Sequence, residues 1–179
     1  MSTLFGEEPP APPAPRKWTE REILDLLRER YTREVLDVPS FIYAEHVRSG
    51  AGFGDFQPSR GRPSRGHLRT ADAIAIDLWP SRGNHVHGFE VKTSRADWLT
   101  ELRDPAKAEA VRRYCHRWWL VAPVEVVRDD LPEGWGFLTI TDGRLRVKKS
   151  APVLTPEPIT HSFLAALSRA LIRTNGGTQ

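Results

Sequence analysis

A chain of 179 residues, 39% of them hydrophobic, has the size of one ordinary domain with its own core. Its single cysteine, Cys115, excludes an intramolecular disulfide, and no apolar run reaches membrane-spanning length. With no charged-then-apolar leader at the start, a reducing, cytoplasmic setting is expected; the net charge of +3 and pI near 9.3 are too modest to define a partner alone.

Residues 1–16 carry Glu7-Glu8 and then Pro9, Pro10, Pro12, Pro13 and Pro15, and read as a disordered, Pro-rich arm suited to docking a protein partner. A single domain is expected over 17–174, with 175–179 a disordered tail. Thr19 and Glu22 have the capping-box spacing, and Ile23, Leu26 and Leu27 supply an apolar stripe, predicting a helix from Thr19 to Tyr31. Phe41 to Arg48 reads as the first strand.

The stretch 49–69 is rich in Gly, Ser, Pro and Arg and reads as a flexible loop; the tetrapeptide Pro-Ser-Arg-Gly occurs at Pro58, at Pro63 and again at Pro80. Arg60, Arg62, Arg65 and Arg69 fall here, with His67 and no nearby acid. Such a segment is either a contact for a polyanion or a solvated loop of no consequence. Gly50-x-Gly52-x-Gly54 lacks the strand-to-helix context of a phosphate-binding loop.

Ala71 to Trp79 and His87 to Lys92, joined through Pro80-Ser-Arg-Gly, read as a β-hairpin. Ile74, Ile76 and Leu78 lie at period two with Asp72, and Val86, Glu90 and Lys92 share a parity on the return strand. A turn centred near Ser81 and Arg82 brings Asp72 opposite Glu90 or Lys92, where facing Cβ atoms sit about 5 Å apart. Two carboxylates and an ammonium among strand residues this apolar each lose hydration, so a partner or a shared divalent ion is expected.

Ser94, with Asp97 three residues on, caps a helix running to about Arg103, and Asp104-Pro105 reads as cap and first turn of another through Tyr114. Arg117 to Ala122 is a buried strand reached by this helical crossover and hence parallel to the preceding one. Gly134 to Thr141 and Leu145 to Lys149 flank Asp142-Gly143 as a second hairpin, and Pro158 to Thr174 is a closing amphipathic helix. The order implies an α/β sandwich around a mixed sheet of five or six strands.

His85 and His87 are expected to share a strand face, and Cys115 adjoins His116, but the spacing matches no common four-ligand zinc pattern, and hairpin-tip histidines are expected to be exposed. Trp98, Trp118, Trp119 and Trp135 are read as packing residues. No nucleophile-elbow motif follows a strand.

The ordered set, a capped acidic helix, Asp72 in an apolar strand, Glu90-Val91-Lys92 ending the next, and then a crossover helix, resembles the PD-(D/E)XK nuclease superfamily over residues 18 to 125. Ala71 stands where the family motif has proline, a position that is not a ligand. From Glu90 to Trp119 the chain also looks like the MmcB family of DNA-repair-associated proteins and related actinobacterial and phage proteins. The resemblance implies a restriction-endonuclease-like three-layer sandwich and metal-dependent hydrolysis of DNA phosphodiesters, in repair, recombination or phage DNA processing.

On that resemblance Asp72, Glu90 and the Val91 carbonyl hold Mg²⁺ or Mn²⁺, and Lys92 orients the attacking water or stabilises the transition state. A further helical carboxylate, Glu22 or Glu20, or else Glu45 on the first strand, is a candidate ligand; the capping box alone also explains Glu22. Arg95, at a helix start, and Lys107 are candidate phosphate contacts alongside the Arg60 to Arg69 group. The competing readings are a catalytically inactive nucleic-acid-binding module of the same fold and a protein-interaction domain.

Overall fold

The computed structural model describes residues 16–35, 37–51 and 68–176. Helix α1 (Glu20–Tyr31) starts at the expected place because Thr19 and Glu22 close a capping box, each side chain bonded to the other's backbone amide. A short ladder follows, β1 (Glu34–Val35) against β2 (Val38–Pro39), which the sequence reading does not anticipate; two residues a side are too few to show a period. The main sheet then begins with β3 (Phe41–Arg48), β4 (Thr70–Asp77) and β5 (Val86–Val91), antiparallel neighbours in sequence order.

The hairpin turn between β4 and β5 is a single 3₁₀ turn at Pro80–Arg82. Asp77 fixes it, its carboxylate accepting from the Trp79 amide at 2.9 Å and from the Arg82 guanidinium. Helices α2 (Arg95–Leu102) and α3 (Pro105–Arg112) carry the chain over one face into β6 (Arg117–Val121), which lies parallel to β5 as a helical crossover requires. Strand β7 (Trp135–Thr141) is parallel to β6, and β8 (Arg144–Lys149) returns antiparallel through Asp142 and Gly143, both at positive φ as a two-residue hairpin demands.

The sheet order is β3-β4-β5-β6-β7-β8, six strands in a mixed sheet. Alternation sorts its residues into two cores. Ala73, Ala75, Phe89, Trp119 and Val121 pack on Ile23, Leu24 and Leu27 of α1. Ile74, Val86, Trp118 and Leu120 pack on the opposite side against α2, α3 and α4 (His161–Asn175). All four tryptophans read as packing residues are buried. Gly88 is obligatory: a Cβ there would lie 2.3 Å from the Trp118 ring.

Three local expectations are corrected. Asp104 stands at the N-cap of α3 but makes no capping bond, because its carboxylate accepts from Arg69 at 3.0 Å. Helix α4 starts at His161 under a Thr160 cap, three residues after the expected Pro158. His85 precedes β5 and stacks on His116, while His87 lies among Tyr31, Phe41 and Trp119, so the two histidines do not share an exposed strand face. Arg60, Arg62, Arg65 and most of the 49–69 loop, with residues 1–15 of the Pro-rich arm, lie outside the described residues. Among the described residues no helix is long and apolar enough to cross a membrane.

Candidate metal centre

The β4–β5 ladder pairs Ala73 with Phe89, so the next step places Asp72 opposite Glu90. Residues facing each other across an antiparallel ladder share a face, here the one covered by α2 and α3. Asp72 Oδ2 accepts from the Val91 amide at 2.6 Å, which ties the side chain of one strand to the backbone of the next. Lys92 continues β5, its amide bonded to the Val121 carbonyl of β6, and its Nζ turns back to Glu90 Oε1 at 2.5 Å. Asp72, Glu90 and Lys92 therefore converge at the C-terminal end of β5, the expected grouping.

A fourth member comes from α2. Glu101, 5% exposed, receives Lys92 at 3.1 Å and Lys107 of α3 at 2.6 Å. Lys107 also approaches Glu90 Oε1 at 3.9 Å. Two carboxylates and two ammonium groups thus interlock, and a cavity of about 370 Å³ opens beside them, lined among others by Glu20, Val91, Lys92, Glu101 and Lys107. Glu101 Oε1 is buried without a hydrogen-bond partner among the described residues, a costly condition that a solvent molecule or ligand would relieve.

Glu20 and His46 also approach Asp72, the ligand atoms of all three lying within 4.8 Å of one another. The β3–β4 ladder pairs Glu45 with Ala73 and Val47 with Ala71, so His46 stands opposite Asp72. Its φ of 50° is a left-handed kink inside a strand, uncommon for a residue with a Cβ. Glu20 arrives because it occupies the first turn of α1, one residue after the cap.

Burial pushes the Asp72 carboxyl up, against the Val91 amide that favours its ionised form. Burial and then the neighbouring Asp72 push Glu90 up to about 8. Burial disfavours the charged Lys92, but Glu90 and Glu101 outweigh it and hold the ammonium well above its ordinary range. Glu101 is also penalised by burial, yet Lys107 and Lys92 keep it below the usual carboxylate range.

Glu90, buried and pushed toward its protonated form in part by the half-buried Asp72 beside it, marks a site short of positive charge. The donors that lie together, the carboxylates of Glu20 and Asp72 with the His46 imidazole, are of the kind that suits a hard divalent cation, and Glu90 faces Asp72 across the ladder. The unpartnered Glu101 oxygen shows that the pocket also has unspent polar capacity.

The other anticipated residues go elsewhere. Glu22 is spent on the capping box and Arg16, which hold its carboxyl down at about 2. Glu45 projects to the α1 side, where Arg21 binds it through two bonds of 2.7 and 2.9 Å and Arg28 adds another at 3.0 Å. These arginines outweigh burial and keep it ionised. Neither acid is placed to join Asp72. Arg95 does not face the cavity as a phosphate contact: it pairs with Asp130 at 2.6 Å and donates to the Val126 carbonyl, pinning the loop after β6. Arg69 is engaged by Asp104, and of the anticipated phosphate contacts among the described residues Lys107 lines the cavity.

Sequence reasoning missed Glu101 and His46. Trp98, Glu101 and Leu102 have the i, i+3, i+4 spacing of a buried helical stripe, which was the available signal for Glu101. For His46 there was none, since its direction depends on one backbone angle. His87, pushed down to about 4 chiefly by burial, accepts from the Trp119 indole at 3.2 Å and is a packing residue.

No protein-family model matches the chain. No curated protein matches it either. Among solved structures it is similar to a protein of unknown function from Silicibacter pomeroyi, at 20% identity over 78% of this chain and 84% of that one, with a TM-score of 0.46.

Proposed function

We propose that this chain is a metal-dependent nuclease of the PD-(D/E)XK superfamily, with a restriction-endonuclease-like sandwich and nearest to the MmcB-like proteins, hydrolysing DNA phosphodiester bonds in repair, recombination or phage DNA processing. The observation that carries the reading is the convergence of Asp72, Glu90 and Lys92 at the end of one hairpin, beside an open cavity. A binding surface for phosphates has no use for two clustered acids at its centre, because they repel the ligand unless a cation lies between.

Asp72, Glu90 and Glu20 would hold Mg²⁺ or Mn²⁺, with the Val91 carbonyl and His46 as further donors. Such an ion supplies an acidified water and neutralises charge gathering on the scissile phosphate. The chain's own residues do the rest. Lys92, kept charged by its acidic neighbours, presents a donor to the attacking water or to a phosphate oxygen. Glu101 gives Lys92 a second anchor, so the ammonium stays in the cavity when Glu90 is engaged otherwise. Lys107, reaching from α3, adds a second ammonium to the cavity wall. The water's oxygen would bond to phosphorus as it gives up one proton to solvent, the bond from phosphorus to one sugar oxygen would break, and that oxygen would take a proton back from solvent, so that one water is consumed and no net proton is gained.

The second reading, an inactive nucleic-acid-binding module, is favoured by one observation: Lys92 already satisfies Glu90 Oε1, so the site has a neutralised state without a metal. Incubation of the full chain with single-stranded, duplex, flapped and branched DNA separates the two. Mn²⁺-dependent cleavage lost in Glu90→Gln and Lys92→Ala supports the nuclease. DNA binding with no cleavage in Mn²⁺ or Mg²⁺ contradicts it and leaves the module.

A further inference from the structure

A second, chemically opposite hollow lies at the other end of α1. Arg30 and Arg33, at and just beyond the helix C-terminus, meet Arg144 and Arg146 of β8 around a cavity of about 250 Å³. Among the described residues Glu29 is the sole acid in its wall. Counting along α1 from Glu20 to Arg30 at 1.5 Å per residue puts the two cavities roughly 15 Å apart. They share no lining residue.

The arrangement is built. Arg30 donates to the Leu145 carbonyl at 3.2 Å, which docks the helix end onto the strand and fixes one guanidinium in the wall. Arg33, Arg144 and Arg146 make no salt bridge within the described residues and are exposed. Lysines on an edge strand are a common guard against strand pairing, and Lys148 and Lys149 are explained that way. Edge protection does not explain why two arginines from a different element gather at the same hollow, where four like charges repel one another. Guanidinium forks present planar pairs of donors that match phosphate oxygens, and an anion between them turns the repulsion into attraction.

We infer that this arginine hollow is a phosphate-binding site for the backbone of a nucleic acid, separate from the acidic centre and independent of any metal there. Arg144 and Arg146 stand two residues apart on one strand, about 7 Å, a spacing comparable with the repeat of phosphates along a polynucleotide. Among the described residues no aromatic side chain lines the hollow, so its described wall gives bases no stacking platform. Binding is therefore indifferent to sequence and strongly salt-dependent. Leu26 and Leu145 are recessed in the wall and provide no apolar wedge for a lipid surface.

The test is fluorescence anisotropy of the full chain with a labelled DNA duplex in chelator, over a series of salt concentrations. Arg144→Ala/Arg146→Ala is expected to lower the salt slope of log Kobs by about 2, and Arg33→Ala by about 1, with weaker binding at every salt. Arg144→Lys/Arg146→Lys keeps the slope, and the circular dichroism melt of each variant checks folding. The Mn²⁺-induced rise in melting temperature, which reads the acidic centre, stays as in wild type. An unchanged slope in the folded alanine variants overturns the assignment. So does displacement of the DNA by polyglutamate at equal charge concentration, which would make the hollow a site for acidic peptides.

Discussion

Glu90→Gln separates what the acidic centre costs from what it does. In the metal-free protein Glu90 is pushed from the ordinary 4.5 up to about 8 by burial and by Asp72. Between these two values the folded state holds a proton that the unfolded state has lost, so stability falls as pH rises through the window. The contribution is fully present below pH 4.5 and gone above about 8. The whole displacement is worth about 5 kcal/mol at 1.4 kcal/mol per pH unit, a ceiling because Asp72 titrates with it. About half of it, ~2 kcal/mol, is the expected gain of Glu90→Gln over wild type at pH 8.5 in chelator, or about 4–8 °C in Tm for a chain of this size. At pH 5 the two proteins should melt alike, since the glutamine mimics the protonated acid. Thermal melts of both from pH 5 to 9 give the difference curve. A flat curve, or a glutamine variant that loses ground as pH rises, would refute the reasoning that these acids are buried short of countercharge.

Glu45→Ala should destabilise by about 1–2 kcal/mol, because it removes the acid shared by Arg21 and Arg28, the value staying low since both guanidinium groups are more than a third exposed and water takes over much of their pairing. Denaturant unfolding measures it, and the Mn²⁺ thermal shift of the variant should match wild type, as expected if Glu45 is no ligand. Glu20→Gln and His46→Ala should each weaken Mn²⁺ affinity by about tenfold or more without much change in stability; equal affinity in both would remove them from the site. Gly88→Ala should cost about 1–3 kcal/mol in chemical denaturation through its clash with the Trp118 ring, and a neutral result would mean that β5 and β6 are not packed this closely.

Local rules carried much of the architecture into the sequence. The Thr19–Glu22 box, the Asp142-Gly143 turn and the alternation of Asp72 with Ile74 and Ile76 each depend on near neighbours, and each is realised where it was expected. The crossover to β6 followed from helix length alone, and strand parity placed Asp72 and Glu90 on one face. What stayed hidden depends on docking. Glu22, Glu20 and Glu45 are equivalent as residue types, and only the angle of α1 across the sheet sends Glu20 to Asp72 while Arg21 and Arg28 claim Glu45. Arg95 was read from its helix-start position, but Asp130, distant in sequence, takes its charge. The arginine hollow joins residues more than 110 positions apart, beyond the reach of any local pattern.

Calorimetric titration of the full chain with Mn²⁺ at pH 7, in two buffers of different protonation enthalpy, bears most directly on the acidic centre. One saturable site is predicted, with net proton release as Glu90 gives up its proton, and Asp72→Asn should abolish the binding. No saturable binding at millimolar Mn²⁺, or the same binding in Asp72→Asn, would contradict the account.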